Sequence, residues 1–356
     1  MIMARSGMFL EIFRRPHVAL SLAIALLAMP TYPLWAIAQN AESLRGIHYV
    51  TVRDRTGNET PERFYGVGRG TLSSGWCGIQ ETLFSALSPI SQTVPFHLPD
   101  EFLSVDFIRE TDSRETWTSL ETSAQGRPVT LYIHGFFIDF EKGCRRATLF
   151  QENAGIEGSM LWFSWPSDGA IFNYAQDEAD LYWSVPDIAD QIEALGNRFG
   201  HLEVNVVGHS LGARGVALAL YELASRKPEI RLGNVALLAP DMDFGIFQRL
   251  LPRIRPIVRS LTVYYTDTDR PLALSARLQG YSRLGEAGND FASLEGVEAI
   301  SVSALEVRSP TGHLYHLYNS EVGEDLRQLL LEGRLAGARS NLIPTAGNIW
   351  ALQSSK

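Results

Sequence analysis

Cysteine is almost missing from this chain: Cys77 and Cys144 are the only two in 356 residues. Two isolated thiols supply too few ligands for a zinc site, and no metal is expected. Pairing between them and two unpaired buried thiols both remain open, because spacing alone does not show whether their Cβ atoms meet. Basic tracts are missing as well. The chain carries 31 Lys and Arg against 40 Asp and Glu, a formal net charge of -9, and its positive residues gather no further than isolated pairs. Such a surface offers nothing to a phosphate backbone, so nucleic acid is excluded as a partner. No G-x-G-x-x-G and no H-E-x-x-H occurs, which removes dinucleotide-binding and zinc-protease readings; no cofactor is expected. Repeats and low-complexity tracts are absent. What remains is a chain that is 45% hydrophobic, with 7 Trp and 17 Phe, enough to bury a sizeable core in one large domain or two modest ones.

Residues 1–38 read as an export segment. Arg5, Arg14 and Arg15 precede the uncharged run Val18 to Met29, Pro30 and Pro33 break any helix, and Ala36-Ile37-Ala38 offers a cleavage site. The uncharged stretch from Val18 to Ala38 is also about long enough to span a bilayer. Two outcomes are open: a cleaved signal peptide releasing a periplasmic or secreted protein, or an uncleaved anchor in the inner membrane. Pro16-His17 after the twin arginine fits a twin-arginine signal poorly, and no cysteine near the cleavage region suggests a lipoprotein.

Residues 42–125 mix short apolar runs with Gly-rich breaks and read as strands and loops, either part of the domain C-terminal to them or packed on it. From 126 to 334 strands and helices alternate, the pattern of a mostly parallel sheet with helices on both faces. Strands are expected over Val129–His134, Met160–Trp165, Leu202–Val207, Asn234–Ala239, Ser260–Thr266 and Ala299–Val307. The helical region Gln176–Phe199 contains Pro186, which predicts a kink or a second helix start. Only one helix fits between Asp243 and Arg259, so no large lid domain is expected. Residues 335–356 look like a loosely held tail.

One five-residue motif stands out: Gly208-His209-Ser210-Leu211-Gly212, between a strand-like and a helix-like run. About 0.2 copies of G-x-S-x-G are expected by chance in a chain this rich in Gly and Ser, so its setting matters more than its letters. A strand–turn–helix setting is what a nucleophile elbow requires, and it makes Ser210 the candidate nucleophile. A serine hydroxyl needs a base, and the base an orienting acid. In α/β hydrolases these come in the order Ser, Asp or Glu, His. Beyond Ser210 only His313 and His316 remain; His313, after Gly312 in a turn, is the expected base and His316 the alternative. His209 is expected to pack beside the nucleophile. Asp269, just past the strand Ser260–Thr266, is the expected acid, with Asp241 the alternative one strand earlier; each also suits a helix N-cap. An oxyanion hole needs two backbone N–H donors. Leu211 supplies one, and Phe136, in Ile133-His134-Gly135-Phe136, the other.

These residues resemble the bacterial α/β-hydrolase family of unknown function, from about Tyr65 to Leu331. The resemblance is carried by Leu131 to Phe136 with Phe140-Glu141 and Arg145-Arg146, Phe163 to Ser167 with Tyr174 and Asp177, and the elbow. Ala239 to Asp243, Tyr265 with Asp269, Leu274-Ser275, and Gly312-His313 with Tyr315 complete it. Relatives often carry Asn where Phe137 stands and Met where Leu211 stands. The resemblance implies a Ser-Asp-His hydrolase and supplies no substrate. Trp165, Tyr174 and Asp177 either line the cleft or brace core and loop. The expected activity is that of an exported serine hydrolase, most simply a carboxylic-ester hydrolase acting on a small-molecule or lipid acyl substrate. An amidase or thioesterase with the same triad, and a noncatalytic envelope protein on the same fold, are the alternatives. Oligomeric state is not legible.

Overall fold

The computed structural model describes residues 45–81, 99–168, 173–309 and 311–354; residues 1–38, expected to be an export segment, lie outside them. The chain enters through β1 (Gly46–Arg55), β2 (Tyr65–Glu81) and β3 (Leu103–Thr111), then α1 (Ser113–Ala124). Strand and helix then alternate through β4 (Val129–Ile133), α2 (Phe140–Asn153), β5 (Met160–Ser164), α3 (Tyr174–Phe199), β6 (Val204–His209) and α4 (Leu211–Arg226). Next come β7 (Leu232–Leu238), α5 (Phe244–Ile254), β8 (Val258–Tyr265), α6 (Arg270–Gln279) and β9 (Val297–Ser301). The chain closes with α7 (Tyr315–Tyr318), α8 (Ser320–Leu330), β10 (Leu342–Ala346) and β11 (Ile349–Leu352).

The eleven strands among the described residues share one sheet, in the order β10-β11-β9-β8-β7-β6-β4-β5-β1-β2-β3. From β11 to β1 every neighbouring pair is parallel, while β1–β2, β2–β3 and β10–β11 are antiparallel. The central strands are continuous apolar runs because both of their faces are covered. Leu131 and Val206 face a core built with Ile188 of α3, Leu220 of α4 and Phe247 of α5. Their chain neighbours Tyr132 and Val207 face the opposite core, with Phe150 of α2 and Leu326 of α8. Helix starts are marked by aspartates: Asp112, Asp139, Asp243 and Asp269 each accept a bond from a first-turn backbone N–H. Between β7 and β8 lies only α5 and its short 3₁₀ extension, so no lid domain is inserted there.

Three expectations need correction. Residues 335–356 are not loose: Arg339 is buried against Asp325 Oδ2 at 2.9 Å and Glu298 Oε2 at 2.8 Å. Beyond it β11 pairs with β9. Pro344 and Gly347 disguise this hairpin, because both residues lower strand propensity. The core therefore extends beyond 334, while β1, paired to β5, belongs to the same sheet, the first of the two readings left open for 42–125. Third, α3 runs as one helix past Pro186, so no second helix starts there. Cys77 of β2 and Cys144 of α2 form a disulfide, Cα to Cα 6.3 Å, which ties the antiparallel region to the parallel core.

Candidate active site

The site lies where β4, β6, β7 and β8 end. Ser210 follows β6 directly and begins α4 with φ 53° and ψ -121°, a left-handed backbone that a non-glycine residue adopts only when its surroundings impose it. Those surroundings are specific. Ser210 N–H donates to Leu238 O at 2.9 Å, and its own carbonyl accepts from Ala213 N–H at 3.0 Å and Asp241 N–H at 3.1 Å. A Cβ on Gly212 would lie 2.1 Å from His134 O, so α4 meets the β4 exit loop closely only with glycine there. A Cβ on Gly135 would likewise stand 3.0 Å from both Ser210 Cβ and His209 Nδ1.

Asp269, at the end of the β8 exit loop, points one oxygen at Leu272 N–H, 3.0 Å, capping α6. Its other oxygen accepts from His313 Nδ1–H at 2.5 Å. This bond leaves the Nε2 lone pair of the neutral imidazole free to take a proton. Two contacts bring the His313 loop to the elbow: His209 Nε2–H donates to His313 O at 3.1 Å, and the two rings lie 4.6 Å apart. Arg270 N–H, donating to Thr311 O at 3.1 Å, ties the start of α6 to the same loop.

Asp241 is occupied otherwise. Its carboxylate accepts from Tyr174 Oη–H at 2.6 Å, Ser275 Oγ–H at 2.7 Å and Arg283 Nε–H at 2.9 Å. Arg214 stands 3.5 Å away, and none of these partners is an imidazole. His316 packs below the site, its ring 4.1 Å from His209 and edge-on to Phe150, with Nε2 3.5 Å from Tyr132 Oη. Burial pushes both His209 and His316 well below the ordinary imidazole range, keeping them neutral. Among the described residues no group of three or more His, Cys, Asp or Glu is placed to hold a metal ion.

The second expected anion donor, Phe136 N–H, belongs to the β4 exit loop, and Leu211 N–H is the first of α4, where helix amides lack intrahelical acceptors. His134 supports this loop from beneath. Its ring stacks on Trp165 at 5.0 Å, Nδ1–H donates to Gly135 O at 2.8 Å, and Nε2 accepts from Trp165 N–H at 3.2 Å. Burial lowers its pKa to about 3, so the ring stays neutral and these two bonds define its tautomer.

Residues 110–334, well over half of the chain, match the family described as "Alpha/beta hydrolase of unknown function (DUF900)". The chain belongs to this family. The uncharacterized protein alr1448 of Nostoc sp. (strain PCC 7120) is 28% identical over 68 residues, 19% of this chain and 18% of that protein, so the match spans under a fifth of that relative. Among solved structures, the Pyrobaculum calidifontis esterase is 16% identical, covering 58% of this chain and 78% of its own at a TM-score of 0.34. The lin2722 gene product of Listeria innocua is 10% identical, covering 64% and 99% at 0.37. Likenesses this distant leave the chemistry to the chain's own residues.

In this α/β hydrolase the three residues considered for the cleft divide. Trp165 is fully buried, with Nε1–H donating to His134 O at 2.8 Å, and Asp177 is fully buried too; both brace the β4 exit loop. Tyr174 is partly exposed. Its ring lies 5.2 Å from Phe136 while its hydroxyl reaches Asp241, so it stands between the loop and the ionic cluster. Ser167 and Ser275, quoted from sequence only among the residues that carry the resemblance, take part in holding the site, as do Arg53, Arg214 and Arg283, which were not singled out. Their only signal was charge or hydroxyl where a core position was due, as with Arg53 after the apolar Tyr49, Val50 and Val52 of β1.

Proposed function

We propose that this chain is an exported serine hydrolase that cleaves carboxylic esters. One observation carries the reading: Ser210 stands on a left-handed turn at the exit of β6, and a histidine oriented by a carboxylate is bonded to the residue beside it. In the reaction, Ser210 Oγ attacks the acyl carbonyl carbon as His313 Nε2 takes its proton, and the carbonyl oxygen becomes the oxyanion facing Leu211 and Phe136 N–H. Collapse expels the alcohol, which leaves with the proton from His313. Water repeats the sequence on the acyl-enzyme, releasing the acid and restoring Ser210. Export is supported by the uncharged run Val18 to Ala38 and by the Cys77–Cys144 disulfide, a bond that persists in oxidising compartments.

A fluorophosphonate probe tests the nucleophile. It is expected to label the wild-type protein at Ser210 and to leave Ser210→Ala unlabelled, with turnover down by on the order of 10⁴-fold or more and an unchanged melting curve. Folded protein that takes no label overturns the reading. Rates on matched aryl esters, amides and thioesters then rank the acyl linkage, and the ester preference fails if either of the others is faster. Cell fractionation with N-terminal sequencing tests export and separates cleavage after Ala38 from an anchor.

A further inference from the structure

The loop from Phe136 to Ile138 poses a physical problem. Phe137 has φ 65°, a left-handed conformation costly for a bulky side chain, and its ring is over a third exposed. Packing of that ring does not enforce the turn; Lys142 Nζ lies 3.9 Å from the ring centroid. Something else must hold the backbone there, because strain of this kind persists only where the surroundings over-determine it.

Two fully buried charges do so. Arg53, at the end of β1, donates through Nη2 to Ile138 O at 2.7 Å, through Nη1 to Ser167 O at 2.8 Å, and through Nε to Ser164 Oγ at 2.8 Å. Asp177, in the first turn of α3, accepts from Ser167 Oγ–H and from Asp168 N–H at 3.1 Å. Ser167 links the two, since its Oγ also accepts from Ile138 N–H at 3.1 Å. Ile138 N–H and Ile138 O are thus both bound, two residues after Phe136, and Phe137 O accepts from Lys142 Nζ at 3.1 Å. Arg53 lies outside residues 110–334, so this part of the brace comes from the N-terminal strand rather than from the stretch that defines the family.

We propose that Arg53 and Asp177 are positioning residues that aim the Phe136 N–H at the oxyanion, through a Ser167-bridged clamp on Ile138. The inference rests on the serine-hydrolase reading and adds to it which groups preorganise the anion site. Buried guanidinium and carboxylate suit the task because each bonds several fixed backbone atoms at once, so the donor needs no reorganisation as charge develops.

The test compares an aryl ester with its matched thionoester, in which sulfur replaces the carbonyl oxygen and gains little from oxyanion N–H donors. Asp177→Asn, Ser167→Ala and Arg53→Lys are assayed on both in the full-length protein. The expected result is a fall of about 10²-fold in kcat on the oxoester with KM within about twofold. The thionoester rate stays within about threefold, so the oxo-to-thiono ratio collapses. Equal loss on both esters means a general structural role and overturns the proposal, as does an unchanged ratio. Where Asp177→Asn fails to fold by circular dichroism, Ser167→Ala and Arg53→Lys carry the same ratio test. Wild-type protein that neither turns over the oxoester nor takes a fluorophosphonate label defeats the underlying reading instead, which keeps the two failures apart.

Discussion

The two flanks of Ser210 are built in opposite ways. On the acid–base flank, His313 sits on a loop, partly open to solvent, and its ring is fixed by one bond to Asp269. On the anion flank, the loop after β4 is fastened by Arg53, Ser167, Asp177, His134 and Trp165, all buried. The contrast matches what each flank must do. A general base takes a proton and gives it back, so its ring needs one orienting bond and room to serve two partners. An oxyanion site works by not moving, because any reorganisation subtracts from the stabilisation it supplies.

The largest effect that would test this contrast comes from separating the two aspartates. Asp269→Asn is expected to lower kcat by about 10⁴-fold by imposing the wrong histidine tautomer. Stability should barely change, because Asn caps α6 as well as Asp does. Asp241→Asn should do the reverse. It weakens a buried cluster containing Arg283 and Arg214 and is expected to cost about 3 kcal/mol in chemical denaturation, with activity per folded molecule within a fewfold. If Asp241→Asn were the more damaging to kcat, the acid would have been assigned to the wrong strand.

A second, smaller effect separates the flanks by pH. Burial pushes Asp177 up to about 6, above the roughly 3.9 of an unfolded chain. Between about pH 4 and pH 6 the folded state holds this proton more tightly, so the group's contribution to stability is fullest below pH 4 and is lost as pH rises through 6. Asp177→Asn should flatten this part of the stability–pH curve, by up to about 3 kcal/mol. An unflattened curve would mean that Asp177 holds its proton no more tightly than an exposed carboxylate. Smallest is Phe137→Asn, which places a residue tolerant of φ 65° on the turn and is expected to gain about 1 kcal/mol. A loss in thermal unfolding would mean that the ring's contact with Lys142 outweighs the backbone strain.

These flanks also differ in how far sequence exposes them. Ser210, Asp269 and His313 each follow a strand that announces itself as an apolar run, and turn residues after a strand end are where reactive side chains are sought. The structure brings Asp269 and His313 together and sets His313 beside the elbow; no periodicity could have chosen Asp269 over Asp241, since both follow a strand and both suit a cap. That choice depends on Tyr174, Ser275 and Arg283, which converge on Asp241 from three separate segments. The brace was hidden for a related reason. Arg53 is itself buried near the end of β1, and a charge in a strand reads as a solvent-facing position until both faces of the sheet are known to be covered. The pairing of Cys77 with Cys144 likewise depends on β2 lying over α2, a long-range contact that spacing does not encode.

The C-terminal hairpin has a consequence beyond its own packing. Without it, β9 would end the parallel sheet as an open row of backbone donors and acceptors, the kind of surface on which other chains polymerise. β11 covers that row, and β10 becomes the new border: five residues, four of them exposed, with Pro344 among them and lacking an N–H to offer. This hairpin thus guards the protein against self-association, and a chain truncated before Leu342 would lose solubility before it lost the proposed nucleophile.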